Sequence, residues 1–281
     1  MGTLINGKEL AEKMQSEIAK EIQELKKEKI HPGLVVLLVG NNPASEIYVR
    51  NKERTAEKIG LHSKVERYPE SITEEELLAE IEKYNQDDQF HGILVQLPLP
   101  KQINEEKVLL AIRPEKDVDG FHPMNLGKLL AGKPDKIPCT PYGIMKMFEA
   151  YAIDLEGKRA VVIGRSNIVG KPMALLLMMA NATVTIAHSK TKNLAELTKE
   201  ADIVVAAIGS REFVTKEFVK PGAVVIDVGM NRNDEGKLAG DVKFDEVEPI
   251  ASYITPVPKG VGPMTITMLM YQTVESAKAL K

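Results

Sequence analysis

The segment AVVIGRSNIVGKP, residues 160–172, constrains the fold of this chain most. Four apolar residues end at Gly164, and Gly170 follows six residues later, which predicts a buried strand, a glycine turn and the start of a helix. Such a turn presents backbone N–H groups and the positive end of a helix dipole to a phosphate group. The pattern is a variant of the dinucleotide fingerprint in which Ser166 replaces the second glycine. It therefore predicts a cofactor domain of the Rossmann type.

The end of the next strand indicates which dinucleotide binds. An NAD site usually carries Asp or Glu about 20 residues after the glycines, to hold the ribose 2′-hydroxyl. Here His188, Ser189 and Lys190 follow the strand, and Arg165 lies in the turn. A hydroxyl group and two cations suit a 2′-phosphate, so we expect NADP as the cofactor. The alternative is that these are ordinary solvated residues at the end of a strand.

Composition limits the class of protein. The length of 281 residues predicts two domains. The net charge of −3 gives no electrostatic footprint for nucleic acid. No apolar run reaches transmembrane length and no signal pattern opens the chain, so we expect no membrane association and a cytoplasmic location. The single cysteine, Cys139, excludes an internal disulfide and fits a reducing compartment.

Apolar strands alternate with amphipathic helices along the chain, which predicts an α/β fold. We expect two α/β domains with parallel-sheet cores, the second Rossmann-like, with a ligand cleft between them. The predicted first domain comprises residues 1–139 and 264–281, and the predicted second domain comprises residues 140–263. Residues 113–139 are predicted to form a long loop segment, and Thr140 is predicted to cap the helix that follows.

Ser45, Tyr48 and Lys52 have the spacing i, i+3, i+7 on a helix predicted to run from about residue 44 to 59. This spacing places a hydroxyl, a phenol and an amine on one face, near the carboxyl end of a predicted parallel strand. A lysine shielded from water has a lowered pKa and can transfer protons near neutral pH. The alternative is a solvated helix face with Tyr48 half-buried.

Gln96 ends an otherwise apolar strand, before a proline-rich turn. A buried amide needs hydrogen-bond partners. Because Gln96 is predicted to lie at the same sheet edge as Lys52, it is a candidate partner for the amine. The alternative is an amide that the backbone of the turn satisfies.

The segment KDVDGFH, residues 116–122, holds two carboxylates and a histidine. The spacing completes no metal site, so we predict no metal. One carboxylate could pair with the adjacent N–H donors of an aminopyrimidine ring. The alternative is turn chemistry, since Asp-Gly is a turn signal, and Asp117 is predicted to do no more than that. Cys139 is predicted to be structural, and His188 is predicted to be an ordinary polar residue at the end of a strand. The segment GVGPMT, residues 260–265, is either a second backbone cradle for a ligand or a turn between domains.

Taken together, the motifs resemble the bifunctional methylenetetrahydrofolate dehydrogenase/methenyltetrahydrofolate cyclohydrolase family over essentially the whole chain. They occur in family order as SEIYVRNKERTAEKIGL, GILVQLPLP, KDVDGFHPMNLGKL, PCTPYGI, GRSNIVGKP and PVPKGVGPMT. The resemblance implies one-carbon metabolism, purine biosynthesis and a homodimer formed through the cofactor domain. The sequence departs from the family pattern at Lys259, where many members of the resembled family have glycine.

The resemblance also implies roles for individual residues. Lys52 would be the central catalytic residue, Tyr48 would lie against the pterin ring, Gln96 would tune the protonation of Lys52, and Asp119 would bind the pterin amino group. The remaining implied folate contacts are Ser45, Val95, Leu97, Pro258, Gly260, Val261 and Gly262. The implied NADP contacts are Gly164, Arg165, Ser166, Ser189, Lys190 and Met230.

Three other functions stay open at this stage. The chain could be a dehydrogenase without hydrolase activity, a regulatory module that binds NADP, or a different two-domain NADP oxidoreductase acting on a small hydroxy or amino acid. The lysine-bearing helix face and the KDVDGFH segment favour the bifunctional enzyme over all three.

Overall fold

The structure, a computed structural model, describes residues 2–280, which form two compact units. The first unit comprises Glu12–Cys139 and residues 266–280, and the second comprises residues 2–11 and Thr140–Thr265. Each unit has a parallel sheet as its core, so the predicted fold class of two α/β domains is confirmed.

The bounds of the elements follow in chain order. The strands are β1 (Thr3–Leu4), β2 (Gly33–Val39), β3 (His62–Tyr68), β4 (Gly92–Val95), β5 (Arg159–Ile163), β6 (Thr183–Ala187), β7 (Ile203–Ala206), β8 (Val224–Asp227), β9 (Asn231–Arg232), β10 (Leu238–Ala239) and β11 (Tyr253–Ile254). The helices are α1 (Gly7–Lys27), α2 (Pro43–Ile59), α3 (Glu74–Gln86), α4 (Glu105–Ala111), α5 (Pro123–Leu130), α6 (Cys139–Ala150), α7 (Gly170–Met179), α8 (Leu194–Lys199), α9 (Phe244–Val247) and α10 (Val261–Ala279), and a 3₁₀ turn covers Lys216–Phe218.

The sheet of the first unit has the order β3-β2-β4, with all neighbours parallel. Every residue of β2 and β4 is buried, as is typical of parallel strands covered on both faces. One core cluster includes Val35 and Leu37 of β2, Ile93 of β4 and Ile81 of α3. This core fixes the carboxyl ends of β2 and β4, where ligands of α/β sheets bind.

Within the described chain, the sheet of the second unit has the parallel order β1-β11-β8-β7-β5-β6. Its core cluster includes Val161 and Ile163 of β5, Val204 of β7 and Val225 of β8. The short strands β9 and β10 form a separate antiparallel pair. The glycine turn follows β5, so it leaves the sheet between β7 and β6, among the carboxyl ends of parallel strands.

The structure corrects the predicted extent of the first domain. Residues 2–11 belong to the second unit, because β1 pairs in parallel with β11 at the edge of that sheet. Two local predictions also differ. Thr140 is not a cap, since α6 already begins at Cys139, and the predicted loop segment 113–139 contains α5.

Candidate active site

Helix α2 carries the predicted lysine face. The side chain of Asn42 caps the helix by accepting hydrogen bonds from the backbone N–H groups of Ala44 (2.9 Å) and Ser45 (3.2 Å), and the helix ends at Gly60 with a φ of 75°. Ser45 and Lys52 lie on its buried side, with 3% and 8% of their surface exposed. Tyr48 is partly buried. The face is therefore not a solvated one at Ser45 or Lys52.

Lys52 and Gln96 are joined directly. The Lys52 amine donates to Gln96 Oε1 at 2.9 Å, and Gln96 Nε2 donates to the Leu97 carbonyl at 2.8 Å. The backbone N–H of Gln96 also donates to Leu37 O at 2.9 Å, which anchors the residue to β2. Both interpretations of Gln96 are thus correct in part, because the amide is held by backbone and by the amine together.

The environment of Lys52 favours a neutral amine. Burial lowers its pKa, and the charge of Asp119 opposes this effect, as does the nearby Cys139. Burial also raises the pKa of the Asp119 carboxyl to about 6, although Lys52 acts in the opposite direction. Asp119 keeps part of its surface exposed to solvent. The site therefore combines an amine whose pKa is lowered by burial with a carboxyl whose pKa is raised to about 6.

The loop that presents Asp119 is held by its neighbour. The buried Asp117 carboxylate accepts hydrogen bonds from the backbone N–H groups of Gly120 (3.1 Å), Phe121 (3.2 Å) and His122 (2.8 Å), and from Asn125 Nδ2 (2.8 Å). Asp117 thus forms the turn, as predicted, and it leaves the carboxyl of Asp119 free of that task.

Gln272 and Cys139 complete the support of this loop. Gln272 Nε2 donates to Val118 O at 2.8 Å and to Ile137 O at 2.9 Å, and its Oε1 accepts from the Ile137 N–H at 2.8 Å. The buried Cys139 thiol donates to Val118 O at 3.2 Å, which agrees with its predicted structural role, and burial raises its pKa. The sequence reasoning missed Gln272, because it lies 153 residues after Asp119 on a helix with ordinary apolar periodicity.

In the second unit, the glycine turn has the predicted form. Gly164 has a φ of 129°, and a Cβ atom there would overlap with the Ala207 carbonyl oxygen. A Cβ atom at Gly170 would overlap with the carbonyl of Gly164. The Ser166 hydroxyl accepts from the backbone N–H groups of Val169 (3.1 Å) and Gly170 (3.3 Å), which orders the start of α7. The tight turn and exposed Arg165 and Ser166 fit a dinucleotide phosphate.

The residues after β6 form a turn with an exposed cation. His188 Nδ1 accepts from the Lys190 N–H at 3.2 Å, and the His188 N–H donates to Thr191 Oγ1 at 2.9 Å. His188 therefore helps to form this turn, beyond the ordinary strand-end polarity predicted for it. Ser189 and Lys190 are exposed, so a hydroxyl and an ammonium group are available to a ligand.

The segment that contains Pro258 differs from the prediction. Helix α10 begins at Val261, so Gly262 lies in a helix rather than in a turn. The position of a Cβ atom on Gly262 would be 3.8 Å from Met230 Sδ, which brings these two predicted contacts together. Pro258 is exposed, whereas Gly260 and Val261 are buried. Lys259 has a φ of 85°, a backbone conformation that favours glycine.

Residues 2–280 contain neither a candidate metal site nor a candidate membrane-spanning helix. No group of three or more His, Cys, Asp or Glu side chains is placed to hold a metal ion. No helix in this part of the chain is long and apolar enough to cross a membrane.

Val95 is buried in β4 and Leu97 is partly buried beyond it, next to Gln96.

The first unit is an α/β domain with a buried lysine site, and the second unit is Rossmann-like. Together they define a two-domain dinucleotide-dependent enzyme. Family models match both parts: residues 5–119 match the tetrahydrofolate dehydrogenase/cyclohydrolase catalytic domain, and residues 138–281 match its NAD(P)-binding domain. The chain therefore belongs to the tetrahydrofolate dehydrogenase/cyclohydrolase family.

Individual relatives agree with this assignment. The bifunctional protein FolD of Enterococcus faecalis is 78% identical, with full coverage of both chains. The crystal structure of the bifunctional FolD enzyme of Campylobacter jejuni superposes with a TM-score of 0.98 at 51% identity, and full coverage of both chains. The FolD structure of Trypanosoma brucei, complexed with NADP and an inhibitor, gives a TM-score of 0.96 at 37% identity and covers 99% of this chain and 98% of its own.

Proposed function

We propose that this protein oxidises methylenetetrahydrofolate to methenyltetrahydrofolate with NADP and then hydrolyses the product to formyltetrahydrofolate. The observation that carries the proposal is the buried Lys52 amine, bonded to Gln96 and electrostatically coupled to Asp119. Family membership and the bifunctional relatives support both activities.

For the hydrolysis, Lys52 acts as general base and then as general acid. Water attacks the methenyl carbon, and the neutral amine takes the proton that the water loses. The resulting ammonium group returns a proton to the nitrogen that leaves when the ring opens, while the hydroxyl of the adduct releases its proton to solvent and becomes the formyl carbonyl. Gln96 Oε1, which lies 2.9 Å from the amine, orients it for both transfers.

We assign the folate contacts to residues around this amine. Asp119, when ionised, accepts hydrogen bonds from the pterin amino group and its neighbouring N–H. Tyr48 lies against the ring, and Ser45, Val95 and Leu97 line the site. Pro258, Gly260, Val261 and Gly262 provide further folate contacts in this proposal.

NADP, when bound, supplies the acceptor for a hydride from the folate methylene group. The Gly164–Ser166 turn holds its phosphates, and Arg165, Ser189 and Lys190 bind the 2′-phosphate. Met230 lies near the nicotinamide in this proposal. The exposed cations support NADP over NAD, as does the NADP bound by the Trypanosoma relative. The nitrogens of the folate stabilise the cation that forms, so the protein mainly aligns donor and acceptor.

One spectrophotometric experiment tests both activities in one preparation. Methenyltetrahydrofolate is expected to form when NADP is added to enzyme and methylenetetrahydrofolate, and then to decay. Enzyme given methenyltetrahydrofolate without NADP should accelerate its decay. Formation without enzyme-dependent decay would favour a dehydrogenase alone, and no turnover of either compound would favour a regulatory module.

We also propose a homodimer formed through the second unit, a cytoplasmic location and a role in purine biosynthesis, all of which derive from the family resemblance. The mass of the protein in solution, measured by light scattering, tests the homodimer. Two chains of 31.0 kDa give an expected mass of 62 kDa.

A further inference from the structure

A buried carboxylate in the second unit binds two loops at once. Asp241 is fully buried, and its Oδ2 accepts from the backbone N–H groups of Ile208 (2.7 Å) and Gly209 (3.0 Å). Its Oδ1 accepts from the Ser210 N–H (2.8 Å) and from Asn231 Nδ2 (2.9 Å). Four donors converge on this carboxylate, so its charge is compensated by hydrogen bonds rather than by a cation.

The two loops lie beside residues of the predicted cofactor site. Ile208–Ser210 follow β7 and Asn231 follows β8 by a few residues, so both loops lie beyond the carboxyl ends of neighbouring parallel strands. Ala207, which leads into the first loop, packs so closely on Gly164 that no Cβ atom fits there. Met230, a predicted nicotinamide neighbour, directly precedes Asn231. Asp241 thus connects the loop beside the glycine turn with the loop that carries Met230.

A second buried carboxylate fixes Asp241 itself. Asp227, at the end of β8, accepts from the backbone N–H groups of Asp241 (2.9 Å) and Gly229 (2.9 Å) through Oδ1, and from that of Val242 (3.0 Å) through Oδ2. A Cβ atom on Gly240 or on Gly229 would overlap with one of the two carboxylates. The network is therefore closely packed, and its geometry leaves little freedom to the loops that it holds.

We propose that Asp241 is a positioning residue for the cofactor: its carboxylate fixes the Ile208–Ser210 and Met230–Asn231 loops in the arrangement that binds NADP. The inference rests on the proposed function, since it takes NADP as the ligand of this unit. An asparagine at this position would keep the shape but turn an NH₂ group toward N–H donors. The loops would then lose at least one of their four hydrogen bonds and shift away from the glycine turn.

The test compares three variants by calorimetric titration with NADP and by cyclohydrolase assay without NADP. Asp241→Asn is expected to raise the Kd for NADP by about tenfold or more. Asn231→Ala, which removes one donor, is expected to raise the Kd about threefold. The control Asp245→Asn, an exposed carboxylate on α9, should leave the Kd unchanged. All three should keep the cyclohydrolase rate, because the Lys52 amine that catalyses hydrolysis lies in the first unit, whereas the Asp241 network lies in the second.

Each outcome decides the proposal. An unchanged Kd in Asp241→Asn, or an equal loss of both activities at unchanged Kd, would overturn it, because a purely structural role lowers the amount of folded protein without changing affinity. If Asp241→Asn does not fold, Asn231→Ala decides by the same criteria. Failure of the unaltered protein to bind NADP would overturn the proposed cofactor as well, which distinguishes the two failures.

Discussion

The Lys52 amine donates to Gln96 Oε1 at 2.9 Å, and the orientation of that oxygen is set by the other end of the same amide. Because Gln96 Nε2 donates to Leu97 O at 2.8 Å, a flipped amide would lose both hydrogen bonds. The amine therefore always meets an acceptor. A neutral amine can donate one N–H to this oxygen and keep its lone pair for a proton from water.

Replacement of Lys52 by methionine should abolish hydrolysis while the fold persists. Methionine fills a similar volume without an amine, so we expect the cyclohydrolase rate to fall by about 10³-fold, within the range found for general acid–base catalysis. The rate of methenyltetrahydrofolate decay measures the effect. The control Arg54→Met changes an exposed cation of the same helix and should keep the rate. Hydrolysis by Lys52→Met at the normal rate would remove Lys52 from the mechanism.

Gln96→Glu should change the pH dependence of hydrolysis. A carboxylate beside the amine favours the ammonium form and raises the pKa of Lys52, so the rising limb of the pH–rate profile should move up by about one pH unit. The profile of the exposed control Gln89→Glu should match that of the unaltered enzyme. A profile that does not move in Gln96→Glu would show that Lys52 is not the titrating base.

Folate affinity should fall as the pH drops below 6. The pKa of Asp119 is raised to about 6, so at pH 5 only about a tenth of the carboxyl groups stay ionised and able to accept from the pterin. The KM for folate should rise accordingly between pH 7 and pH 5. Asp119→Asn should show a high KM that is independent of pH over this range, and Asp119→Ala should also raise the KM strongly. An unaltered KM in these variants would refute the pterin contact.

Lys190→Ala should weaken the binding of NADP and leave the binding of NAD unchanged. If Lys190 binds the 2′-phosphate, its loss removes a charge-assisted hydrogen bond of about 1.5–3 kcal/mol, which corresponds to a rise of about tenfold or more in the KM for NADP. NAD lacks that phosphate, so its KM should not change. Lys192→Ala, another exposed lysine two residues on, is the control. Equal effects on both cofactors would contradict a role in specificity.

Gly164→Ala should destabilise the second unit. Its φ of 129° is unfavourable for alanine, and the added methyl group overlaps with the Ala207 carbonyl, so we expect a loss of about 2 kcal/mol or more and weaker NADP binding. Gly127→Ala, in α5 with no atom within 4 Å of the new methyl group, should be neutral or stabilise the protein by up to about 1 kcal/mol. Urea unfolding compares the two variants, and similar stabilities would contradict the steric argument.

Elements with local signals could be predicted from the sequence. The capping box of Thr73 and Glu76 at the start of α3 and the Asn104 cap of α4 are patterns of this local kind. The glycine turn after β5 lies where the sequence analysis predicts it. In each case the residues that determine the structure are neighbours in the chain.

Elements that depend on distant partners could not be predicted. Strand β1 has two residues and exists because it pairs with β11, about 250 residues away. Helix α5 begins with an uncommon cap, in which His122 Nδ1 accepts from the Met124 N–H, and it contains Gly127. The supports of the site, Gln272 and Asp241, carry no local pattern, because their partners come from other parts of the chain.

The pairing of β1 determines how the NADP half could be produced by itself. An excised piece spanning 140–265 would lack Thr3–Leu4 and would expose the unprotected outer edge of β11 to solvent. Such an edge recruits strands from other molecules, so the piece should self-associate and precipitate. A gene that joins residues 2–11 to this piece through a flexible connector restores the edge strand, together with the hydrogen bond from the Asn6 N–H to the Tyr151 hydroxyl at 2.7 Å.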